Sequence, residues 1–365
     1  MDRQGNVYGV TFGGGLHGEG TVFELTPGPY GWDEIILHSF DGSDGTGPIG
    51  GPTVDGLGNI YGTTPSGGDH HGGTVYKLAS NQGTCTEETL YNFCAEGNCE
   101  DGGASRANLI MDNKGDLYGT GVVVFEVSPT PAGIWTESTL HSFVGKADGL
   151  GPKGGLIADR SGNLYGTTNG GGGSNACTGG CGTVYELSPV PDDPGGKWNE
   201  RILHDFGASQ SDGQLPIFGQ LAIDRHGNLY GTTFEGGANQ CGEAGCGVVF
   251  EVSRTTTGGW VERTIYNFMP GSTGDNPGGS VVIDTAGNLY GTTIYGGSQN
   301  CGCGVVYELS PQPGGQWQYT VLHTFVGADG AQPDANLTLD DNGNIYGTTL
   351  TGGPGGAGVV FEITP

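Results

Sequence analysis

The sequence predicts an all-β fold, a seven-bladed β-propeller of four-stranded antiparallel blades. One short motif recurs seven times, four strand-like segments recur around each copy, and glycine-rich turns separate these segments. The 365 residues include 78 glycines, far above the ~7% of an average protein. Aromatic residues occur along the whole chain. They argue against disorder, because disordered chains lack the side chains that build a core.

The recurring motif reads G-N-L-Y-G-T-T or a close variant, and its copies lie 47 to 65 residues apart. This is the spacing of propeller blades. We expect one domain over residues 1–365, with repeats that begin near residues 1, 53, 108, 155, 220, 280 and 336. The Asn position of the motif falls at Asn6, Asn59, Asp116, Asn163, Asn228, Asn288 and Asn344.

Each repeat contains four predicted strands, which we name A to D. In the fourth repeat they are strand A at Gly154–Asp159, strand B at Leu164–Thr168, strand C at Gly182–Leu187 and strand D at Ile202–Phe206. A D-x-x-G-N segment joins A to B, and Asp, Asn and Gly are the residues that tight hairpin turns require. Strands B and C do not alternate between apolar and polar residues, which fits sheets covered on both faces by neighbouring blades.

A β-solenoid is the alternative fold, although its coils are usually shorter than these repeats. The third repeat departs from the pattern, because Gly119–Gly121 leads directly into strand C. The terminal blades are incomplete: Met1 and Asp2 align with the end of a strand A, and the last repeat stops after strand C at Phe361–Ile363. Either Met1 is an internal methionine of a longer protein, or neighbouring molecules supply strands and form a fibre.

The formal charge is −27, with only 12 lysines and arginines. A nucleic-acid partner is not expected, because phosphate binding requires a basic surface. An anionic membrane surface is disfavoured for the same reason. No run of 18 apolar residues occurs, so no membrane span is expected.

Nine cysteines are present, and most of them fall in close pairs within glycine-rich loops. Zinc is one interpretation of such pairs, but it requires two pairs to converge on one site. Local disulfides are the preferred interpretation, and they indicate an oxidising compartment, as for a secreted, extracellular or cell-surface protein. The expected pairs are Cys177–Cys181, Cys241–Cys246, Cys301–Cys303 and Cys94–Cys99, which leave Cys85 as the odd thiol.

The units G-N-L-Y-G-T-T, G-T-V-Y-E-L-S-P and L-H-S-F resemble the Gloeo-Verruco tandem repeat of bacterial choice-of-anchor surface proteins over nearly the whole chain. The A–B unit is also similar to the NHL-type propeller repeat. The resemblance implies an exported bacterial repeat protein with variable C-terminal anchoring, and no anchor is recognised before the chain ends at Pro365. It brings no defined activity.

Meander topology places the D–A and B–C loops on one face of the blades. The D–A loops carry one acid each, which predicts either a ring of carboxylates that binds Ca²⁺ or polar ligands, or carboxylates that cap turns. One Asp per loop is far below the density of a dedicated calcium loop, and no other cofactor is expected. The candidates are Asp44, Asp101, Asp148, Asp212, Asp275 and Asp329.

Glu186 of strand C and His204 of strand D recur in most repeats. Their recurrence favours cross-strand hydrogen bonds over acid–base catalysis, because catalysis needs one asymmetric site. The strand B tyrosines are expected to be packing residues.

A few residues break the repeat and are candidates for specific function. Asp69, His70 and His71 could bind a metal or simply form an exposed polar loop. Phe234 and Tyr295 could stack on sugars. Asn336 begins a formal glycosylation sequon.

The sequence therefore favours an extracellular or cell-surface structural or adhesive repeat protein that binds itself or glycans. The alternatives are a lectin-like ligand-binding propeller and, as a minor one, a propeller hydrolase or lyase.

Overall fold

The computed structural model describes all residues except 3, 82–83, 96–98, 192, 194–195, 210, 218, 243 and 365. The chain is a seven-bladed β-propeller of small antiparallel sheets, which confirms the predicted fold class. In every four-stranded blade the strands are hydrogen-bonded in the order A-B-C-D. Within the described residues, the first blade contains B, C and D, and the last contains A, B and C.

The strands of the first three blades are as follows. Blade 1 contains β1 (Val7–Thr11), β2 (Thr21–Gly28) and β3 (Gly31–Ser39); blade 2 contains β4 (Thr53–Val54), β5 (Ile60–Thr64), β6 (Thr74–Asn81) and β7 (Thr84–Asn92); blade 3 contains β8 (Ile110–Met111), β9 (Leu117–Thr120), β10 (Val124–Pro129) and β11 (Trp135–His141). A 3₁₀ turn at Lys146–Asp148 follows blade 3.

The remaining strands belong to blades 4 to 7 and to two loop pairings. Blade 4 contains β12 (Ile157–Ala158), β13 (Leu164–Thr168), β14 (Thr183–Pro189) and β15 (Trp198–Asp205), and β16 (Gly213–Gln214) follows it. Blade 5 contains β17 (Ala222–Ile223), β18 (Leu229–Thr233), β20 (Val248–Arg254) and β21 (Trp260–Asn267), with β19 (Glu235–Gly236) between its middle strands; β22 (Asp275–Pro277) comes next. Blade 6 contains β23 (Val282–Ile283), β24 (Leu289–Tyr295), β25 (Val305–Gln312) and β26 (Gln316–Thr324); blade 7 contains β27 (Thr338–Leu339), β28 (Ile345–Thr348) and β29 (Val360–Ile363).

The chain divides into two compact units. The first comprises Met1–Phe143, Gly151–Leu156 and Val190–Trp198; the second comprises Val144–Leu150, Ile157–Pro189 and Asn199–Pro365. Blades 1 to 3 belong to the first unit and blades 5 to 7 to the second. Each unit has its own buried layers between consecutive blades.

Strand A is shorter than the sequence predicts. Only two residues of each copy pair as a strand, such as Ile157–Ala158 where six were expected. Glycines that precede strand A lie against the backbone of the neighbouring blade, as at Gly50 and Gly279. A Cβ atom added to Gly279, for example, would collide with the backbone of Ala335 in the next blade.

An aromatic contact joins consecutive blades. The phenylalanine that ends strand D is buried and meets the strand C aromatic ring of the next blade edge to face, a geometry that contributes roughly 0.5–1.5 kcal/mol beyond area burial. The pairs are Phe40–Tyr76, Phe93–Phe125, Phe206–Phe250, Phe268–Tyr307 and Phe325–Phe361, with ring centroids 4.9 to 5.2 Å apart.

The strand C aromatic lies over the glycine of the strand B motif. A Cβ atom on Gly166 would overlap the Tyr185 ring, and one on Gly291 would overlap the Tyr307 ring. The motif reads L-Y-G-T-T because only glycine leaves room for that ring. The same glycine lies beneath an aromatic ring at Gly9, Gly62, Gly119, Gly231 and Gly347.

Gly166→Ala should destabilise the protein by about 1–3 kcal/mol, because the new methyl group must displace the buried Tyr185 ring. Urea unfolding measures the change. Gly56→Ala is the matched control, since a Cβ atom there meets no atom within 4 Å. Equal stability of the two variants would contradict this account of the motif.

Tyr307→Phe should leave stability unchanged or raise it by up to about 1 kcal/mol. The Tyr307 hydroxyl is buried without a hydrogen-bond partner among the described residues, and phenylalanine occupies the same position in blade 5 as Phe250. Tyr165→Phe is the comparison. It should cost about 1–2 kcal/mol, because its hydroxyl donates to Asp159 and Glu186. Thermal unfolding of both variants measures whether Tyr165→Phe lowers the stability while Tyr307→Phe does not.

Candidate functional site

The D–A and B–C loops lie together, as the meander topology predicts. Strand β16 of one D–A loop pairs with β19 of the following B–C loop, and single bridges repeat this arrangement elsewhere, as between Leu150 and Gly170. In blade 6 the D–A loop adds β22 to β24, which the sequence did not predict. Such pairings join the two loops in blades 2, 4, 5, 6 and 7.

Each D–A loop aspartate caps the start of its own loop. Asp44 accepts a hydrogen bond from the Asp41 backbone N–H at 2.9 Å, and Asp148 accepts one from Val144 at 2.7 Å. Asp101 accepts two, from Cys94 and Ala95. Asp212 and Asp329 do the same, and Asp275 is buried within β22. The expectation of a Ca²⁺-binding ring of these carboxylates stays a prediction.

Most of these aspartates also contact the ring at the end of strand D. The imidazole Nε2 of His38 lies 2.6 Å from Asp44, that of His204 lies 3.2 Å from Asp212, and that of His323 lies 3.0 Å from Asp329. In blade 2 the Tyr91 hydroxyl replaces the imidazole and donates to Asp101 at 2.9 Å. The histidine thus contacts the aspartate of the loop that follows its own strand.

At the junction of blades 4 and 5 a third side chain joins such a pair. Glu262 of β21 reaches His204 of β15 and Asp212, and the three candidate ligand atoms all lie within 4.8 Å of one another. Burial raises the pKa of the Glu262 carboxyl, and the nearby Asp212 charge adds to the rise, while His204 and Thr264 oppose it. We name His204, Asp212 and Glu262 the junction triad.

Sequence reasoning missed the glutamate of the triad. It lies two residues after the tryptophan that opens strand D, in a W-x-E pattern at Trp260 and Trp198 alike. Glu200, the equivalent residue of blade 4, has a buried Oε1 atom without a hydrogen-bond partner among the described residues. Burial, with the charges of Asp148 and Asp205, raises its pKa to about 7.

Where the contact of a strand C glutamate is described, its cross-strand partner is a strand B tyrosine and not the strand D histidine that the sequence suggested. Glu186 instead accepts a hydrogen bond from Tyr165 of strand B at 3.0 Å, and Tyr165 also donates to Asp159 of the A–B turn. The register explains the difference, because Tyr165 and Glu186 are directly opposite each other. The strand B tyrosines are therefore hydrogen-bonding residues as well as packing residues. The same Tyr–Glu bond recurs at Tyr8–Glu24, Tyr230–Glu251 and Tyr346–Glu362.

The other candidates lie apart from the triad in the chain. Asp69, His70 and His71 are exposed. Of the two interpretations, a metal site and an exposed polar loop, their exposure fits the second. Tyr295 is 43% exposed and Phe234 is half buried.

Asn336 is half buried, and its side-chain oxygen accepts a hydrogen bond from the Ser280 backbone at 3.2 Å. Asn108 makes the same contact with Gly51 between blades 2 and 3. The amide of Asn336 therefore takes part in a repeated contact between blades.

Four disulfides join Cys94 to Cys99, Cys177 to Cys181, Cys241 to Cys246 and Cys301 to Cys303. Each links residues at most five positions apart, so each pins one loop. Cys85 is the free cysteine of the part of the chain that the structure describes, and burial raises the pKa of its thiol. Among the described residues, no helix has the length and apolar character needed to cross a membrane.

The repeated strands, turns and polar contacts define a tandem-repeat β-propeller. The chain belongs to the Gloeobacter/Verrucomicrobia repeat family, whose model matches residues 1–179 and again residues 175–365. This confirms the resemblance seen in the repeat units. A comparison with curated proteins finds no match.

Solved structures resemble this chain at low sequence identity. A puromycin-hydrolysing peptidase of Mycobacterium tuberculosis is 12% identical with a TM-score of 0.55; the match covers 99% of this chain and 50% of the peptidase, so the chain spans half of that protein's length. A luciferin-regenerating enzyme is 16% identical with a TM-score of 0.49, and covers 87% of this chain and 91% of its own. A protein of unknown function from Dyadobacter fermentans is 12% identical with a TM-score of 0.45, over 100% and 97% of the two chains.

Glu200→Gln should flatten the pH dependence of stability between pH 4.5 and 8. The pKa of Glu200 is raised from 4.5 to about 7 in the folded state, so folding favours the protonated acid. The stability it contributes is present below pH 4.5 and is lost as the pH rises through about 7. Because the group is partly exposed, we expect the variant to gain on the order of 1 kcal/mol at pH 8 and little at pH 4.5.

Chemical unfolding at a series of pH values measures this difference. Glu34→Gln is the control, because Glu34 occupies the same strand D position in blade 1 and is exposed. Parallel pH profiles for the wild type and Glu200→Gln would refute the burial argument.

Proposed function

We propose that the protein is an exported structural repeat protein, a rigid propeller scaffold that makes contacts outside the cell, including contacts with further copies of itself. The observation that carries this proposal is the repeated use of the polar side chains. The Tyr–Glu and His–Asp contacts recur from blade to blade and stabilise strands and loops, as at Tyr165–Glu186 and His323–Asp329. Catalysis by contrast needs one asymmetric arrangement.

The disulfides support an extracellular location. Four disulfides each close a short loop. Disulfides persist in oxidising compartments. The charge of −27 supports a dispersed, soluble particle outside the cell, because like charge opposes non-specific aggregation. Neither argument requires a catalytic site.

Strand β29 supports contacts with further copies. It pairs with β28 along one edge, and within the described residues no strand pairs with its other edge. An unpaired edge presents backbone N–H and C=O groups to which a strand from another molecule can add. Val360 and Ile363, at the two ends of this strand, are exposed and half buried respectively.

Val360→Lys should weaken self-association several-fold, because a lysine on an edge strand opposes the addition of another strand. Val360 is 39% exposed, so the substitution should not disturb the blade. Sedimentation velocity over a range of protein concentrations measures the association, and negative-stain electron microscopy identifies its form.

Val261→Lys is the matched control, since Val261 is a 50% exposed valine on the outer strand of a four-stranded blade, whereas β29 belongs to a three-stranded one. It should associate like the wild type. A wild-type protein that stays monomeric at every concentration would end the self-association part of the proposal.

A further inference from the structure

The junction triad has the composition of a metal site. It offers one imidazole nitrogen and two carboxylate groups from three separate segments, β15, the following D–A loop and β21. Among the residues that the structure describes, it is the set of three such side chains whose ligand atoms converge within 4.8 Å. Three protein ligands leave a fourth position open for water or a small ligand.

The distances suit a small tetrahedral ion. Zinc binds imidazole nitrogen and carboxylate oxygen at about 2.0–2.2 Å, which places neighbouring ligand atoms of a tetrahedron about 3.3–3.5 Å apart. The His204 Nε2 atom and the Asp212 Oδ1 atom are 3.2 Å apart, close to that edge. A carboxylate oxygen of Glu262 lies within 4.8 Å of both of these atoms.

Each ligand side chain is held by a second contact. The other carboxylate oxygen of Asp212 accepts a hydrogen bond from the Ala208 backbone at 3.0 Å, and Glu262 accepts one from the Thr264 hydroxyl at 3.3 Å. The His204 ring packs edge to face on Phe206. Such outer contacts orient ligands before the ion arrives, as in established metal sites.

The surroundings favour a cation. Asp212 is only 5% exposed and His204 is 17% exposed, so the two are shielded from solvent. The arginines on β20 and β21 are engaged with other acids, Arg254 with Glu186 and Arg263 with Glu251. Two carboxylates that face one imidazole leave excess negative charge for a divalent ion to neutralise.

The other junctions provide an internal comparison. His323 and Asp329 have no third ligand within the described residues, and they are 39% and 40% exposed. His38 and Asp44 interact electrostatically with Glu87, but the three do not converge within the 4.8 Å that the triad meets. The repeat therefore places candidate ligands at several junctions, and among the described residues they converge at the junction of blades 4 and 5.

We propose that His204, Asp212 and Glu262 bind one divalent transition-metal ion of the zinc class. The imidazole excludes Ca²⁺ and Mg²⁺ as preferred ions, because these hard ions select oxygen ligands. The site is separate from the proposed scaffold function and does not depend on it. It also differs from the calcium ring that the aspartates alone suggest, since two of its three ligands lie outside the D–A loop.

Isothermal titration of the full chain with ZnCl₂ at pH 7, with disulfides intact and Cys85→Ser as background, tests the proposal. We expect one strong site. Glu262→Gln and His204→Ala should each weaken it at least tenfold, and zinc should raise the melting temperature of the wild type but not of these variants. Melting curves without metal show whether each variant folds. If His204→Ala does not fold, the isosteric Glu262→Gln still tests the proposal.

The matched controls are Glu87→Gln and His323→Ala, which alter the same repeat positions at other junctions. Both should keep the strong site. A CoCl₂ titration should give a visible spectrum without a thiolate band, which excludes cysteine ligands. Zinc binding that is unchanged in Glu262→Gln, reduced equally in His323→Ala, or weaker than CaCl₂ binding would overturn the proposal.

Discussion

The contact between an aromatic ring of one blade and the next blade governs this structure. A blade's last phenylalanine, such as Phe206, meets the strand C ring of the following blade, such as Phe250, and that ring needs a glycine beneath it. The contact ties strands B, C and D of successive repeats into one packing unit. No single repeat can bury these rings alone, so stability is shared between neighbours.

The polar side chains follow from this packing. With the sheets covered on both faces, polar groups must find partners within the repeat. Tyr165 therefore donates to both the A–B turn and Glu186, and His204 contacts the aspartate of its own D–A loop. The strand C glutamate and the strand D histidine, which in the sequence suggest an acid–base pair, therefore take part in two separate contacts. Specific chemistry is left to places where the repeat varies, as at Glu262.

The strand motif, the A–B turn and the blade count could be predicted because each depends on neighbours close in sequence. The D-x-x-G-N turn at Asp159–Asn163 closes through bonds within five residues, so its residues specify it directly. The length of strand A could not be predicted in this way. Gly279, just before this strand in blade 6, lies against Ala335, which is 56 residues away in the chain.

The sequence by itself determined the repeat, its strand order and its short disulfides, because hairpins and nearby cysteines involve local distances. Only the tertiary structure decided which polar residues meet. Glu262 follows a tryptophan like its counterparts in other blades, and nothing in that pattern separates it from the exposed Glu34. Its approach to His204 and Asp212 depends on how one blade packs on the next, since the residues that meet belong to different repeats.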